Sequence, residues 1–304
     1  MDRSEITLER LRTFVRVAER GNLSSVAREL RIGQSTVTRH LRELEEAIGV
    51  SLLSRTTRRV QMTDEGARFY EKSVQILNLL EQARDEVKED SSAHSGTVRV
   101  SCTAAFGVLH LNKMIFGFQE KYPKVHVDFS LTDQRVDLVR EGVDLAIRLG
   151  PLDDSSLRVH ALGMCSRVLV GSPAYFSSHK RPVVPSDLTG HEGVRMSNVA
   201  GSDVLTLRDT SGHISTASIV GRYRVDLALA LRGALVAGRG IGHAHQWLVD
   251  DLLSTGQLVR ILPEYHLSEI PLNMLIVPER AQVTRVRLFA DFIIKNVKAV
   301  PGIR

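Results

Sequence analysis

Several features are scarce in this chain of 304 residues. Its two cysteines, Cys102 and Cys165, are too few for a disulfide framework, and reduced thiols are typical of the cytoplasm. No apolar run approaches the roughly 18 residues that a membrane-spanning helix needs, and the charged N-terminus is unlike a signal peptide. We therefore expect a water-soluble, cytoplasmic protein.

The chain has no strong bias in its composition. With 43% hydrophobic and 25% charged residues, it is close to average for globular proteins, which excludes disordered, collagen-like and purely coiled-coil proteins. A length of 304 residues exceeds what one hydrophobic core usually supports. The sequence therefore predicts two or three packed domains.

The net charge of +5 is unevenly distributed. Residues 1–62 contain 12 arginines, no lysine and 8 acids, whereas residues 63–90 contain 4 bases and 8 acids. The first 90 residues are therefore neutral as a whole, although they begin with a basic segment. A polyanionic partner is indicated by that segment rather than by the total charge.

The basic segment contains the pattern of a helix-turn-helix. Thr7 and Asn22 are good N-caps for two helices with apolar positions at spacings of three and four. After a short turn at Gly33, a third helix is predicted over residues 34–47, ending at Gly49. The face opposite its apolar stripe carries polar residues in its N-terminal half, namely Ser35, Thr38, Arg39 and Arg42. Such a helix fits the DNA major groove, although a solvated arginine face would have the same pattern.

Two short strands are predicted next, over residues 51–55 and 56–62, around a basic turn. Arg55, Arg58 and Arg59 at this wing are suited to phosphates or the minor groove. A solvated loop is the alternative.

A long helix is predicted over residues 63–90, with a narrow apolar stripe and charged flanks. The stripe consists of Tyr70, Val74, Leu77, Leu80 and Val87. The helix is too polar for a core element, so we expect it to pack against a copy of itself in a homodimer. Packing onto its own chain is the alternative. The small, polar residues 91–96 are typical of a hinge.

From residue 97 onward, strands alternate with helices, which indicates parallel sheet with crossover helices. A helix is predicted over residues 134–141, a second set of strands and helices begins at residue 167, and the last strand and helix (272–277 and 284–298) are expected to return to the first sheet. The sequence therefore predicts two α/β lobes with a cleft between them, where small ligands commonly bind.

The whole chain resembles the LysR-type transcriptional regulators. The motifs LRTFVRVA at 11–18, NLSSVAREL at 22–30, QSTVTRHLRELE at 34–45, LLSR at 52–55 and MTDEG at 62–66 carry the resemblance in the N-terminal part. A looser similarity follows in GVDLAIRLG at 142–150, VGSPAY at 170–175 and GQLV at 256–259. The fold class implied is multidomain: a winged helix-turn-helix domain, a long linker helix, and an α/β effector domain of two Rossmann-like lobes, like periplasmic binding proteins.

The resemblance implies these domains: residues 1–62 bind DNA, 63–90 dimerise, 91–96 form a hinge and 97–304 bind the effector, with lobe I at 97–166 and 269–304 and lobe II at 167–268. It implies a homodimer or homotetramer that reads an interrupted palindrome in double-stranded DNA, with RNA polymerase as a further candidate partner. It implies no catalysis and no cofactor, in agreement with the absence of a GxSxG or metal-protease motif. The candidate DNA-binding residues are Gln34, Ser35, Thr36, Thr38, Arg39, Arg42, Arg55, Arg58 and Arg59.

A small organic acid is the effector that the strand ends favour. Arg148 follows an apolar strand at its carboxyl end, where it could pair with a carboxylate, unless it forms a salt bridge with Asp144 or Asp153. The candidate effector-binding residues are Thr103, Ala104, Ala105, Thr132, Arg148, Asn198, Asp226 and His243.

Three other hypotheses remain open from the sequence. His243 and His245 lie on one face of a strand and could read the effector, sense pH, bind a metal, or simply be exposed. Cys102 and Cys165 could sense oxidants or be packed hydrophobes. A cytoplasmic solute binder with an accessory helical domain is the competing function.

Overall fold

The computed structural model describes residues 6–55, 60–87, 95–134, 137–139, 141–152, 157–199 and 203–304. The chain divides into two compact units, Met1–Ala93 with Val136–Val143, and His94–Arg135 with Asp144–Arg304, which we call the N-terminal and C-terminal units. None of the described helices is long and apolar enough to cross a membrane. The elements of the N-terminal unit are α1 (Leu8–Arg20), α2 (Leu23–Leu30), α3 (Gln34–Ile48), β1 (Leu53–Arg55), β2 (Val60–Met62) and α4 (Asp64–Val87).

The first three helices begin and end at the residues that the sequence predicts. The side chain of Thr7 accepts a hydrogen bond from the backbone N–H of Arg10 at 3.3 Å, and that of Asn22 accepts one from Ser25 at 3.0 Å. Each bond satisfies an N–H group that has no partner within the helix. Gly49 ends α3 with a φ of 82°, a left-handed conformation that glycine adopts without strain.

A single apolar core holds these helices together. Its fully buried members include Phe14, Val17, Val26, Val37 and Leu44. They come from the apolar stripes at three- and four-residue spacing in α1, α2 and α3. Burying a side chain of this size contributes about 1.5–3 kcal/mol, so the core fixes the orientation of the three helices.

The predicted wing is present as an antiparallel pair in which Leu53 lies opposite Met62 and Arg55 opposite Val60. A carboxylate oxygen of Glu45 near the end of α3 accepts hydrogen bonds from the N–H groups of Leu52 and Leu53 at 2.8 and 3.1 Å. The wing is therefore joined to α3. The turn at residues 56–59 lies outside the described residues.

The C-terminal unit contains helices and strands in alternation, with 3-10 turns at Pro185–Gly190 and Pro278–Arg280. Its helices are α5 (Ala104–Phe106), which continues through a π turn at Gly107–Leu111 into α6 (Asn112–Lys121), then α7 (Pro173–Phe176), α8 (Ala228–Val236), α9 (Gln246–Ser254) and α10 (Thr284–Val297). Its strands are β3 (Gly96–Cys102), β4 (Val125–Leu131), β5 (Leu145–Leu149), β6 (Arg158–Cys165), β7 (Arg167–Gly171), β8 (Val194–Met196), β9 (Val204–Arg208), β10 (Ile214–Ser218), β11 (Tyr223–Val225), β12 (Ile241–His245), β13 (Val259–Arg260), β14 (His266–Leu267) and β15 (Ile270–Ile276).

The largest sheet has the strand order β4-β3-β5-β15-β6. Strands β3, β4 and β5 are parallel, as predicted, and place Cys102 beside both Leu131 and Ile147. Strand β15 returns to this sheet late in the chain, as predicted, but it is antiparallel to β5 and β6. The sheet therefore brings the carboxyl ends of three parallel strands to one edge.

The prediction of parallel sheet is wrong for most strands after residue 167. Strands β12 and β13 flank β7 antiparallel, and β10 and β14 flank β9 antiparallel, whereas β8 and β11 form a parallel pair. The β9–β10 connection is a tight turn in which the Asp209 side chain accepts from the N–H groups of Ser211 and His213 at 2.9 Å. A connection this short permits only an antiparallel pair, since parallel strands need a long crossover.

The helix predicted over residues 134–141 is also wrong in the described part of that segment, which forms turns. The side chain of Asp137 accepts a hydrogen bond from the N–H of Val139 at 3.1 Å. Such a local bond offers the backbone an alternative to helix. Gly142 then adopts a φ of 65°.

The main core of the C-terminal unit is continuous across its first sheet and the later helices. It includes Phe118, Ile147 and Phe289 from the first sheet and its helices, and Leu235 and Trp247 from α8 and α9. Phe106 and Trp247 pack edge to face with ring centroids 5.2 Å apart. A second core lies around Leu188, Leu207, Ile219 and Ile241.

Candidate DNA-binding face and ligand cleft

The N-terminal half of α3 presents the polar face that the sequence predicts. Gln34, Ser35, Arg39 and Arg42 are exposed, and Thr36 and Thr38 are half-buried. The hydroxyl of Ser24 on α2 donates to the side-chain oxygen of Gln34 at 3.0 Å. This bond leaves the amide NH₂ of Gln34 as a donor at the surface.

A buried contact with α1 orients this face. The hydroxyl of Thr13 donates to the backbone oxygen of Glu9 at 2.8 Å and also lies 2.9 Å from His40 Nδ1. Because the hydroxyl has one proton, His40 must donate from Nδ1. Burial and then the neighbouring charge of Arg39 lower the pKa of His40, which keeps the ring neutral. With His40 held inward, the adjacent Arg39 points outward.

Several of the described arginines near α3 form ion pairs. Arg10 pairs with Glu43 at 2.9 Å, Arg20 pairs with Glu29 at 3.1 Å, and Arg42 pairs with Glu46 at 3.4 Å. Arg39 is exposed and forms no ion pair with a described residue. Of the two arginines predicted on this helix, Arg42 forms an exposed ion pair, whereas Arg39 forms none with a described residue.

Of the three wing arginines, only the backbone of Arg55 belongs to the described residues. The backbone of Arg55 ends β1, whereas Arg58 and Arg59 lie outside the described residues. Their prediction as phosphate contacts stays a prediction.

Helix α4 has two apolar faces rather than one. Tyr70, Val74 and Leu77 are half-buried and pack on the core of the N-terminal unit, the arrangement that the sequence analysis gave as the alternative. Ile76 and Leu79 are 44% and 58% exposed. At 3.6 residues per turn, Leu80 aligns with these two rather than with the first three, and the side chain of Val87 lies outside the described part of the structure. The residues predicted for dimerisation therefore fall on two different faces.

The predicted cleft residues of lobe I lie together at the carboxyl edge of the first sheet. The N–H of Thr132 donates to the backbone oxygen of Cys102 at 2.9 Å, which brings the ends of β3 and β4 together. Thr103 is half-buried, and its hydroxyl oxygen is buried without a hydrogen-bond partner. Ala105 is buried, and the N–H of Ala104 donates to a carboxylate oxygen of Asp133 at 3.0 Å. A ligand carboxylate could bind the amide of Ala104 only by displacing Asp133.

Arg148 extends along this edge from the end of β5. One terminal nitrogen donates to the Ser101 hydroxyl at 2.6 Å, and the other donates to the backbone oxygen of Ile147 at 3.2 Å. Asp144, one of its predicted alternative partners, instead lies 3.2 Å from Arg280 and accepts from the N–H of Arg99 at 2.8 Å. The salt bridge between Arg148 and Asp144 is therefore not formed, and Asp153 lies outside the described residues.

A second group of predicted residues lies on lobe II. Asn198 and Asp226 are exposed at the carboxyl ends of the parallel pair β8 and β11. The Asn198 amide donates to the backbone oxygen of Asp226 at 3.1 Å. His243 is half-buried on β12, opposite Leu169 of β7. The contacts described here thus form two groups, one on each lobe.

His245 is a packed residue rather than a surface histidine. Its ring stacks on Trp247 with centroids 5.3 Å apart, and its Nδ1 is buried without a hydrogen-bond partner. Burial, with smaller effects of Arg167 and His243, lowers its pKa to about 3. No group of three or more metal-ligating side chains occurs among the described residues.

Both cysteines are buried and unpaired with each other. Burial raises the pKa of Cys102 to about 12 and that of Cys165 to about 11. Since the thiolate is the reactive form, both side chains behave as packed hydrophobes.

Three polar residues of these sites were missed in the sequence. Ser101 holds Arg148, Asp133 occupies the amide of Ala104, and Glu45 anchors the wing. Asp133 had a local signal, because it follows the predicted strand end at Thr132. Ser101 and Arg148 are 47 residues apart, and no local pattern joins them.

Two protein families match the chain. Residues 8–67 match "Bacterial regulatory helix-turn-helix protein, lysR family", and residues 91–298 match "LysR substrate binding domain". The chain is 30% identical over 291 residues to the HTH-type transcriptional regulator CrgA of Neisseria meningitidis, covering 95% of this chain and 96% of that protein.

Solved structures are similar over the same length. The full-length Vibrio cholerae virulence activator AphB matches with a TM-score of 0.65 and 29% identity, covering 95% of this chain and 99% of that chain. CrgA from Neisseria meningitidis matches with a TM-score of 0.62 and 28% identity, covering 96% and 99%. These relatives are transcriptional regulators rather than enzymes.

Proposed function

The chain belongs to the LysR family of DNA-binding transcriptional regulators, and we propose that it reads an interrupted palindromic promoter site as a dimer or dimer of dimers. We further propose that it responds to a small organic acid held between the two lobes of its substrate-binding domain. The family binds DNA and small-molecule effectors. The observation that carries the proposal is the exposed polar half of α3, in which Arg39 forms no ion pair with any residue that the structure describes.

Base contacts are assigned to the N-terminal half of α3, and phosphate contacts to the wing. Arg39 is suited to a guanine, and the half-buried Thr36 and Thr38 suit bases or phosphates nearby. Gly33 provides no side-chain cap for α3, which leaves the helix N-terminus suited to a phosphate oxygen. The proposed DNA-binding set is Gln34, Ser35, Thr36, Thr38, Arg39, Arg42, Arg55, Arg58 and Arg59.

Dimerisation is assigned to the second apolar face of α4. Ile76 and Leu79 are exposed and align with Leu80 of the predicted stripe. Val87 is part of the proposed contact as the sequence predicts it. Tyr70, Val74 and Leu77 support this role indirectly, because they fix α4 to its own DNA-binding domain. A symmetric pair would then set two recognition helices in successive major grooves.

Effector binding is assigned to the carboxyl edge of the first sheet, with Arg148 pairing with the ligand's carboxylate. The hydroxyl of Thr103 lies at this edge, accepts no oxygen or nitrogen partner among the described residues, and offers one further hydrogen bond. Ala104, Ala105 and Thr132 follow the same strand ends, and Asn198, Asp226 and His243 face the ligand from lobe II. The ligand changes DNA binding only if it prefers one arrangement of the protein over another.

The domain division that we propose keeps the predicted boundaries: DNA binding at 1–62, dimerisation at 63–90, hinge at 91–96 and effector binding at 97–304. In a cytoplasmic regulator of this kind, RNA polymerase is the proposed further partner.

Binding of labelled promoter DNA tests the DNA-binding assignment by fluorescence anisotropy. Arg39→Ala should lower affinity for the specific site by about 5- to 150-fold and relax base preference, because a base contact is lost. Arg58→Ala should weaken binding to all sequences and reduce the salt dependence by about one unit of slope. Arg208→Ala, an exposed change in lobe II, is the matched control. Wild-type binding by both α3 and wing variants would disprove the assignment.

A further inference from the structure

A surface pocket of about 530 Å³ lies on lobe II, and none of the residues predicted for the cleft lines it. We call it the lobe II pocket. Its lining consists of Pro173, Phe176, Ser177, Ser178, His179, Lys180 and Arg181. Its volume is in the range of small-molecule sites.

The lining is cationic. Lys180 and Arg181 are exposed, and neither forms an ion pair with a described residue. Arg181 lies over the ring of Phe176, with its guanidinium carbon 5.6 Å from the ring centroid. A guanidinium that rests its face on an aromatic ring keeps its N–H edge for an oxyanion. Two positive charges therefore border the pocket, and no carboxylate of the described residues pairs with either of them.

The wall of the pocket is firmly held. The ring of His179 stacks on Tyr175 at 4.1 Å and 6°, and its Nδ1 lies 3.0 Å from the backbone oxygen of the same tyrosine. The Tyr175 hydroxyl in turn accepts from the N–H of Glu192 at 3.0 Å. This part of the wall is therefore in place before any ligand arrives, which lowers the entropic cost of binding there.

The nearby carboxylate of Asp187 is used within the protein. One of its oxygens accepts from the N–H groups of Val183 and Val184 at 2.8 and 3.1 Å. These bonds lower the pKa of Asp187, and they hold its carboxylate against the backbone N–H groups. Asp187 therefore stabilises the loop without neutralising Lys180 or Arg181.

We propose that the lobe II pocket binds a small phosphate monoester, at a site separate from the organic acid of the cleft. A phosphate carries nearly two negative charges and three strong acceptor oxygens, which match the ammonium of Lys180 and the guanidinium of Arg181. The hydroxyl of Ser177 already donates to the backbone oxygen of Ala174 at 2.7 Å, so the two cations carry the recognition. The pocket is much larger than a bare phosphate, so the ligand's organic part occupies the remainder against Phe176. This ligand would give the regulator a second input.

Calorimetric titration of the full-length protein tests this proposal, in HEPES buffer with about 0.15 M salt to screen weak surface binding. The probes are phenyl phosphate, inorganic phosphate and benzoate. Phenyl phosphate should bind more tightly than inorganic phosphate, and Lys180→Gln/Arg181→Gln should weaken its binding about tenfold or more, since two charge-assisted contacts are lost. The matched control Lys124→Gln/Lys298→Gln removes two exposed cations elsewhere and should bind as wild type.

The cleft is tested separately in the same experiment. Arg148→Gln should leave the affinity for phenyl phosphate unchanged. A change in the affinity for benzoate in that variant would test the proposed organic-acid site of the cleft and not the lobe II pocket. The proposal is overturned if phenyl phosphate does not bind saturably, if the control variant weakens it equally, or if Arg148→Gln rather than the lobe II variant abolishes it.

Discussion

His245 illustrates how a buried polar side chain can be tolerated where its ring is used for packing. The imidazole stacks on Trp247, and the same tryptophan contacts Phe106 and His110. Its neutral form therefore behaves as an aromatic residue of the core. A proton would place an uncompensated charge in that core, next to Arg167.

This burial predicts acid destabilisation. The pKa of His245 is lowered to about 3 in the folded protein, whereas an unfolded histidine titrates near 6.5. Between these two values the unfolded chain binds a proton that the folded chain does not bind, so stability falls as pH decreases through that window. His245→Phe should reduce the pH dependence of the unfolding free energy by up to about 1.4 kcal/mol per pH unit, measured by urea unfolding.

The control for this measurement is His160→Phe, which removes an exposed imidazole from β6. Its pH dependence should follow that of the wild type. Parallel curves for His245→Phe and wild type between pH 6 and 4 would contradict the account.

Among the secondary-structure elements, α4 has two apolar faces, one toward its own DNA-binding domain and one toward solvent. One face packs on the core of its own DNA-binding domain through Tyr70, Val74 and Leu77, and the Tyr70 hydroxyl lies 3.3 Å from a Glu19 oxygen. The other face exposes Ile76 and Leu79. A partner on the second face would therefore contact the helix that packs on α1 of the DNA-binding domain.

The exposed face predicts how the dimer can be broken. Leu79→Glu places a charge in the proposed contact and should weaken dimerisation about tenfold or more, observed as monomer by sedimentation velocity. Val183→Glu makes the same change at an apolar residue that is 77% exposed in lobe II, and it should remain dimeric. A Leu79→Glu protein that stays fully dimeric would exclude this face as the contact.

The first turn of α4 lies so close to the wing that it requires a glycine at position 66. A Cβ atom on Gly66 would lie 1.9 Å from the backbone oxygen of Leu52, so the wing would have to shift. Gly66→Ala should therefore destabilise the protein by about 1–3 kcal/mol in thermal or urea unfolding. Gly233→Ala in α8 meets no atom within 4 Å and should be neutral or stabilising by about 0.5–1 kcal/mol. Equal stabilities of the two variants would contradict this close approach.

The elements also show which features can be predicted from local sequence. Thr7, Asn22 and Gly49 cap their helices as predicted, because a cap depends on residues within one turn. The turn at Asp137 and the hairpin at Asp209 were not predicted, because the sequence was interpreted from its apolar pattern as strands alternating with helices. In the structure, side-chain hydrogen bonds of these two aspartates stabilise the turns. The contact between Ser101 and Arg148 depends on strand pairing, and a sequence without a sheet register cannot specify it.

Across the whole molecule, the position of each positive charge is more informative than the net charge. In the N-terminal unit, Arg10 and Arg20 pair with glutamates, while Arg39, at the proposed DNA-binding face, has no ion pair within the described part of the chain. In the C-terminal unit, Arg148 lies at the predicted cleft, and Lys180 and Arg181 border the lobe II pocket. Because the first 90 residues are neutral as a whole, the net charge of +5 does not reveal the basic face that we propose for DNA.

Footprinting of the DNA beside the protein's own gene tests whether α3 is a recognition helix that reads an interrupted palindrome. A dimeric regulator should protect two half-sites of an interrupted palindrome whose centres lie about 34 Å or a multiple of it apart, and Arg39→Ala should lose this pattern at the same concentration. Absence of any protected palindrome at concentrations that saturate wild-type binding would contradict the assignment of α3 as a recognition helix.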